Sequence, residues 1–208
     1  MFQMQQKRKT VSFTTMGRNR REEYTIRVIK ETFLKLLEKN RVEKISVGEL
    51  CEIADINRST FYPHYEDIYA LFQEVCDDCF NVLFDKFVAN ALEESKDEEY
   101  SRKAIRQACE ISIRNKKLFS ILLFQQPSSS FLSDLTSSLY AFFANSLQLS
   151  YPPSSRLDFY NQFLVSGIVG VWLRWMENDC SDSIDNVVSV MDNLVRSYYY
   201  ILFKADLS

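Results

Sequence analysis

Only eight of the 208 residues are glycine or proline, four of each, against a typical combined usage of roughly 12%. Sandwiches and barrels spend these residues on frequent tight turns, so a sheet-rich fold lacks its raw material here. Apolar residues instead return at spacings of three and four along most of the chain, the pattern of amphipathic helices. The expected fold class is all-α, with about nine helices and no convincing strand. At 46% hydrophobic and 25% charged residues the composition is that of a globular chain, which excludes wholesale disorder.

Charge is unevenly spread. Residues 1–65 carry 13 Lys/Arg against 8 Asp/Glu, whereas residues 66–208 carry 12 against 20, giving the net −3. A basic first third on an acidic body fits a chain whose one end meets a polyanion, or an ordinary solvated surface. No secretory signal is visible at the N-terminus. The most apolar stretch, FLVSGIVGVWLRW at 163–175, is shorter than the roughly 20 residues of a membrane span. Five scattered cysteines show no disulfide framework, so the expectation is a cytoplasmic chain without membrane contact.

Residues 1–18 lack amphipathic period and read as a mobile basic arm, with Lys7, Arg8, Lys9 and Arg18, and Arg20 and Arg21 behind it. The cluster is either a solvated tail or an arm for phosphates or the minor groove. Asn19 and Glu22 stand at capping-box spacing before the stripe Ile26, Ile29, Phe33, Leu36, Leu37. Ser46-Val47-Gly48-Glu49 repeats that spacing before a helix expected to turn Val47, Leu50, Ile53 and Ala54 inward. Asn57 can cap a very short third helix, Arg58 to Tyr62, limited by Pro63. A long helix starts near Glu66, and about five more follow, separated by the loop QQPSSS at 125–130 and the break at Pro152-Pro153.

A capped helix, a short connection and a second, polar helix form a helix-turn-helix. Such a second helix must bury enough to dock and still turn donors outward. Phe61 can anchor it, while Ser46, Asn57, Arg58, Ser59, Thr60, Tyr62, His64 and Tyr65 supply donors for phosphates and base edges. The stretch TIRVIKETFLKLLEKNRVEKISVGELCEIADINRSTFYPHYEDIYALF, residues 25–72, resembles the DNA-binding region of TetR/AcrR-type bacterial transcriptional regulators. T-F-Y-x-H-Y closing the helix-turn-helix carries the likeness, and FLVSGIVGVWLRWMENDCSDSIDNVVSVM near the C-terminus resembles the family's last two helices. The resemblance implies a three-helix DNA-binding head at 19–68 and a helical effector-binding and dimerisation body at 69–208. Two positions depart from the pattern. Ile68 occupies the place of a lysine that would hold a phosphate with the start of the fourth helix, and Pro63 interrupts the recognition segment.

Other constellations have two readings. Cys76 and Cys79 make a C-x-x-C, but on an apolar stripe without a second ligand pair they read as core. Phe119, Phe124, Phe142, Phe143, Phe159, Phe163 and Trp172 either pack a core or line a cavity for an apolar or aromatic effector. Gly167 and Gly170 expose backbone on one helix face, which suggests a dimer seam together with Trp175, Met191, Leu194 and Tyr198. His64 is the only histidine, and no catalytic motif, metal site or cofactor site is expected. The expected function is that of a homodimeric repressor, not an enzyme, which binds an inverted-repeat operator in double-stranded DNA and is released by a small effector. The alternative is a DNA-binding adaptor or co-activator whose body recruits a protein partner without a small-molecule ligand.

Overall fold

The computed structural model describes residues 20–92, 100–126, 130–148 and 154–205. The basic arm through Asn19 and the Pro152-Pro153 break lie outside the described residues. Nine α-helices and no strand are present among those described, in agreement with the all-α expectation.

Helix α1 (Arg20–Leu37) buries Ile29, Phe33, Leu36 and Leu37 along one side, the stripe its spacing predicts. A 3₁₀ turn at Val42–Lys44 leads to α2 (Val47–Ile53), and α3 (Arg58–Phe61) follows after a short turn. Asp55, with φ of 53°, supplies the left-handed residue that ends α2, a conformation aspartate tolerates better than most residues. Phe61 is fully buried, and Phe33 meets Phe72 edge to face at 6.4 Å. These residues tie the first three helices to the start of α4 (Ile68–Leu92). Ile53 departs from expectation. It is 56% exposed, because the buried arc of so short a helix is already filled by Leu50 and Cys51.

Helices α5 (Tyr100–Arg114), α6 (Lys116–Ser120), α7 (Phe131–Gln148), α8 (Ser155–Glu177) and α9 (Ile184–Ala205) complete the molecule. Helix α4 packs on α5 and α7, α8 on α7 and α9, and α5 on α9. Phe119, Phe131 and Trp172 form an aromatic knot with ring centroids 5.5 to 6.4 Å apart. Its one polar atom is provided for: the Trp172 indole N–H donates to Ser112 Oγ at 2.9 Å, as a buried indole requires. A π-helical turn, Ile121–Gln125, follows α6. No described helix is long and apolar enough to cross a membrane.

Candidate nucleic-acid interface

The α2–α3 unit is assembled from local chemistry. Ser46 Oγ accepts a hydrogen bond from the Glu49 amide at 3.1 Å, satisfying one of the donors a helix start leaves open. Asn57 holds the corresponding place before α3 without a side-chain cap bond. Phe61 then pins α3 by its ring alone, and the rest of this short helix faces out: Arg58 and Ser59 are exposed, Thr60 is half-buried and Tyr62 is 53% exposed. The helix ends at Phe61, ahead of Pro63, as expected. The chain turns on, with the His64 and Tyr65 amides both donating to the Phe61 carbonyl at 2.9 and 3.2 Å.

Two of the expected donors are placed differently. Tyr65 is 4% exposed and packs its ring 5.6 Å from Phe61, because the turn after Pro63 swings it under α3. It is a core residue. The His64 side chain is 15% exposed, with Nδ1 4.0 Å from a Glu22 carboxylate oxygen on α1, so it lies between α3 and α1. Ser46, Asn57, Arg58, Ser59, Tyr62, Arg20 and Arg21 are exposed.

A residue that sequence reasoning did not single out shapes this face. The Arg58 guanidinium lies across the first turn of α2, where a β-carbon on Gly48 would stand 2.5 Å from Nη2 and 3.3 Å from Cζ. Glycine leaves the notch in which the guanidinium rests. The nearby Cys51 thiol records the same placement: burial pushes its pKa up, and Arg58 pulls the other way. At the start of α4, Ile68 is 5% exposed, and the Asp67 carboxylate accepts the Ala70 amide at 2.8 Å. That helix start is therefore capped by a carboxylate, which opposes a second anion there.

In the body, a small, partly open apolar cavity of about 60 Å³ lies among α4, α5, α7, α8 and α9, walled by Leu83, Ile105, Leu139, Val169, Trp172 and Met191 among others. Pockets for drug-sized ligands run to roughly 300–1,000 Å³. Of the aromatic residues expected around an effector, Trp172 lines this cavity. Phe119 packs behind it, and Phe143 packs on Tyr198 instead. Phe142 is half-buried beside Phe143. Phe124, Phe159 and Phe163 are 48%, 75% and 70% exposed, on faces turned away from the cavity.

The residues expected at a dimer seam divide similarly. Trp175, Met191 and Tyr198 are 3%, 3% and 4% exposed, held inside their own chain. The Trp175 indole donates to the Asp182 carbonyl at 3.0 Å, Met191 walls the cavity, and the Tyr198 hydroxyl bonds Asn161 Oδ1. A β-carbon on Gly167 would meet Leu194 Cδ1 at 3.6 Å, whereas one on Gly170 would meet nothing within 4 Å. The outer face of α8 and α9 instead carries Phe159, Phe163, Gly170, Val190, Tyr200 and Ile201, all exposed.

Head and body meet at a buried glutamine. Gln126, 2% exposed, donates from Nε2 to the Asn40 carbonyl at 3.0 Å and to the Leu37 carbonyl at 3.3 Å, and its Oε1 accepts from the Val42 amide at 3.0 Å. Both carbonyls lie at or just beyond the end of α1, where backbone acceptors lack helical partners. Stranding such buried groups costs about 1–3 kcal/mol each. Beside it, Lys117 of α6 reaches Glu38 at 2.7 Å, a bridge with side chains 74% and 31% exposed, and such pairs contribute about 0–1 kcal/mol.

Comparison with known proteins adds an independent line. A TetR C-terminal family model, described as "Transcriptional regulator C-terminal region", matches residues 99–197. The chain is 23% identical over 186 residues to an uncharacterized HTH-type transcriptional regulator, YxbF, of Bacillus subtilis (strain 168), covering 85% of this chain. It spans about half (47%) of the length of that relative. Among solved structures it is similar to a TetR transcriptional regulator from Streptococcus agalactiae 2603V, with TM-score 0.59 and 27% identity, covering 85% of this chain and 96% of that one. It also shares its fold with the fatty acid degradation regulator FadR from Bacillus halodurans, with TM-score 0.61 and 14% identity over 86% and 96% of the two chains.

Proposed function

Because the chain belongs to the TetR family of transcriptional regulators, we propose that it is a homodimeric repressor that reads an inverted-repeat operator through α3. The observation that carries this reading is the α2–α3 unit itself. A capped α2 and the fully buried Phe61 ring hold a four-residue helix whose Arg58, Ser59 and Tyr62 remain exposed, with the Arg58 guanidinium resting against Gly48 of α2. In a major groove, Arg58 suits the guanine edge, and Ser46, Ser59 and Tyr62 suit phosphates. Arg20 and Arg21 add cationic charge at the start of α1, in place of an anchor at the carboxylate-capped start of α4.

One copy of so short a helix reads few bases. Two copies held at a fixed separation double the reading, and duplex DNA accepts them when the half-sites lie roughly 34–36 Å, or a multiple, apart. The apolar outer face of α8 and α9, with Phe159, Phe163, Val190 and Ile201, is the surface by which two chains pair, crossing where Gly170 leaves backbone open. The small cavity beside Trp172 is the place an apolar effector enters, by parting the helices around it. An effector that binds the parted state more tightly shifts the heads from the separation that fits DNA and so relieves repression.

The size of that cavity also favours a second reading. At about 60 Å³ it holds no drug-sized ligand, and a body that stays closed acts as an adaptor that recruits a protein partner. Thermal-shift measurement with apolar ligands beside a pull-down separates the two: stabilisation by ligand supports the repressor, and a stoichiometric partner with no ligand response supports the adaptor. Operator reading is tested by gel-shift titration of Arg58→Ala on DNA upstream of the chain's own coding sequence. Loss of one bidentate contact weakens binding by about 1–3 kcal/mol. Unchanged binding refutes the assignment of α3.

A further inference from the structure

We infer that Gln126 is a positioning residue for DNA recognition: its side chain clasps the end of α1 to the body and so fixes the pose of the α2–α3 unit. The inference deepens the DNA-binding reading above and rests on it for its biological meaning, but its geometry can be tested without DNA. Three observations converge. Gln126 is buried at 2%, and all three of its side-chain bonds run to backbone between Leu37 and Val42, more than 80 residues away in sequence. These bonds are addressed to backbone groups that neither α1 nor the 3₁₀ turn satisfies. Finally, Gln126 stands directly behind the π-helical turn Ile121–Gln125, and its own amide donates to the Ile121 carbonyl at 3.1 Å.

The amide group is suited to this task as no other side chain is. It presents two donors to the Leu37 and Asn40 carbonyls and one acceptor to the Val42 N–H, so all three polar partners are met by one planar group. A carboxylate would lack the donors, and an apolar side chain would strand all three backbone groups. The neighbouring Lys117–Glu38 bridge is exposed and screened by salt, so it cannot substitute for a buried clasp. π-Turns are energetically poor relative to α-helix and occur often at functional sites. One that ends on Gln126 ties any rearrangement of the α6 segment to the α1–α2 connection.

The test compares the full-length protein with Gln126→Leu, and with Gln126→Met should the first variant fail to fold. Spin-labelled amino acids are incorporated at Glu52 on α2 and Asp134 on α7, both exposed, in chains diluted with unlabelled protein so that distances within one chain are read. A second pair, Lys35 and Glu52, reports on the head alone. In the wild type the head-to-body pair gives one narrow distance distribution. The variant loses that single peak while the pair within the head keeps its own. On DNA, the variant retains base preference within a half-site but loses its preference for one half-site spacing. A head-to-body distribution unchanged in the folded variant overturns the inference, as does broadening of both pairs together, which marks a merely structural residue. Failure of the wild type to bind any inverted repeat would count against the proposed function and leave the distance result to decide the role of Gln126.

Discussion

At Gly48 a missing β-carbon determines where a charge sits. With alanine there, the Arg58 guanidinium, 2.5 Å from the new carbon, must move, and since it is the far end of a flexible side chain it moves at small cost. Gly48→Ala should therefore leave the thermal midpoint within a few degrees of wild type. Glycine in a helix is in any case disfavoured against alanine by roughly 1 kcal/mol. Gel-shift titration should nevertheless show weaker or less selective operator binding, and unaltered binding would detach Arg58 from base reading. The cysteines give a second prediction at this scale. Burial pushes the Cys79 and Cys109 thiols up to about 12 from an ordinary 9.0. In the unfolded chain they ionise near 9, so between 9 and 12 the folded state holds protons the unfolded state has lost. Stability should therefore be flat below pH 9 and fall as pH rises through that window. Denaturant midpoints measured from pH 7 to 10.5 check this, and Cys79→Ala with Cys109→Ala should flatten the fall. At pH 8 a thiol reagent should modify the half-buried Cys180 in the native protein and spare Cys51, Cys76, Cys79 and Cys109, all buried.

At the scale of the element, capping and periodicity made most of the fold readable. Ser46 followed by Glu49 marks the start of α2, and the observed bond from the Glu49 amide confirms that Ser46 is its cap. Ser46→Ala should cost about 1 kcal/mol of stability, measurable by chemical denaturation. The α1 stripe and the start of α8 after the Pro152-Pro153 break were equally legible. What the sequence did not show is how elements meet. Tyr65 follows a motif of exposed donors yet is buried, since its direction depends on how the chain turns after Pro63. Gln126 sits in a polar, proline-containing stretch with every local sign of a surface loop. Its burial comes from the end of α1 arriving above it, a contact between distant segments that no local pattern encodes. Ile68 shows the converse: its apolar character alone signals an inward direction, and the Asp67 cap follows from its place one residue before the helix.

At the scale of the whole molecule, helical periodicity gave the number of helices, while the assignment of apolar residues to core or outer surface needed the packed structure. Trp175, Met191 and Tyr198 read as seam residues because they lie on the last two helices, Trp175 on α8 with Gly167 and Gly170, and Met191 and Tyr198 on α9. All three fall on the inner faces of α8 and α9, while Phe159 and Phe163 of the same helix point outward. Pairing through that outer face predicts that Phe163→Glu, a charge in the centre of an apolar seam, converts the protein to monomer in sedimentation velocity while its helical circular dichroism is retained. A dimer undisturbed by this change would place the seam elsewhere. The account as a whole claims that one short helix is presented twice, at a separation duplex DNA accepts. Its most direct test is the stoichiometry of the complex: sedimentation velocity of the protein with a fluorescent duplex from the DNA upstream of its own coding sequence, at low salt. The predicted result is two chains per duplex for the wild type, with Arg58→Ala needing a higher protein concentration to form the same complex. A single chain on the duplex, or no complex at any protein concentration tried, would contradict it.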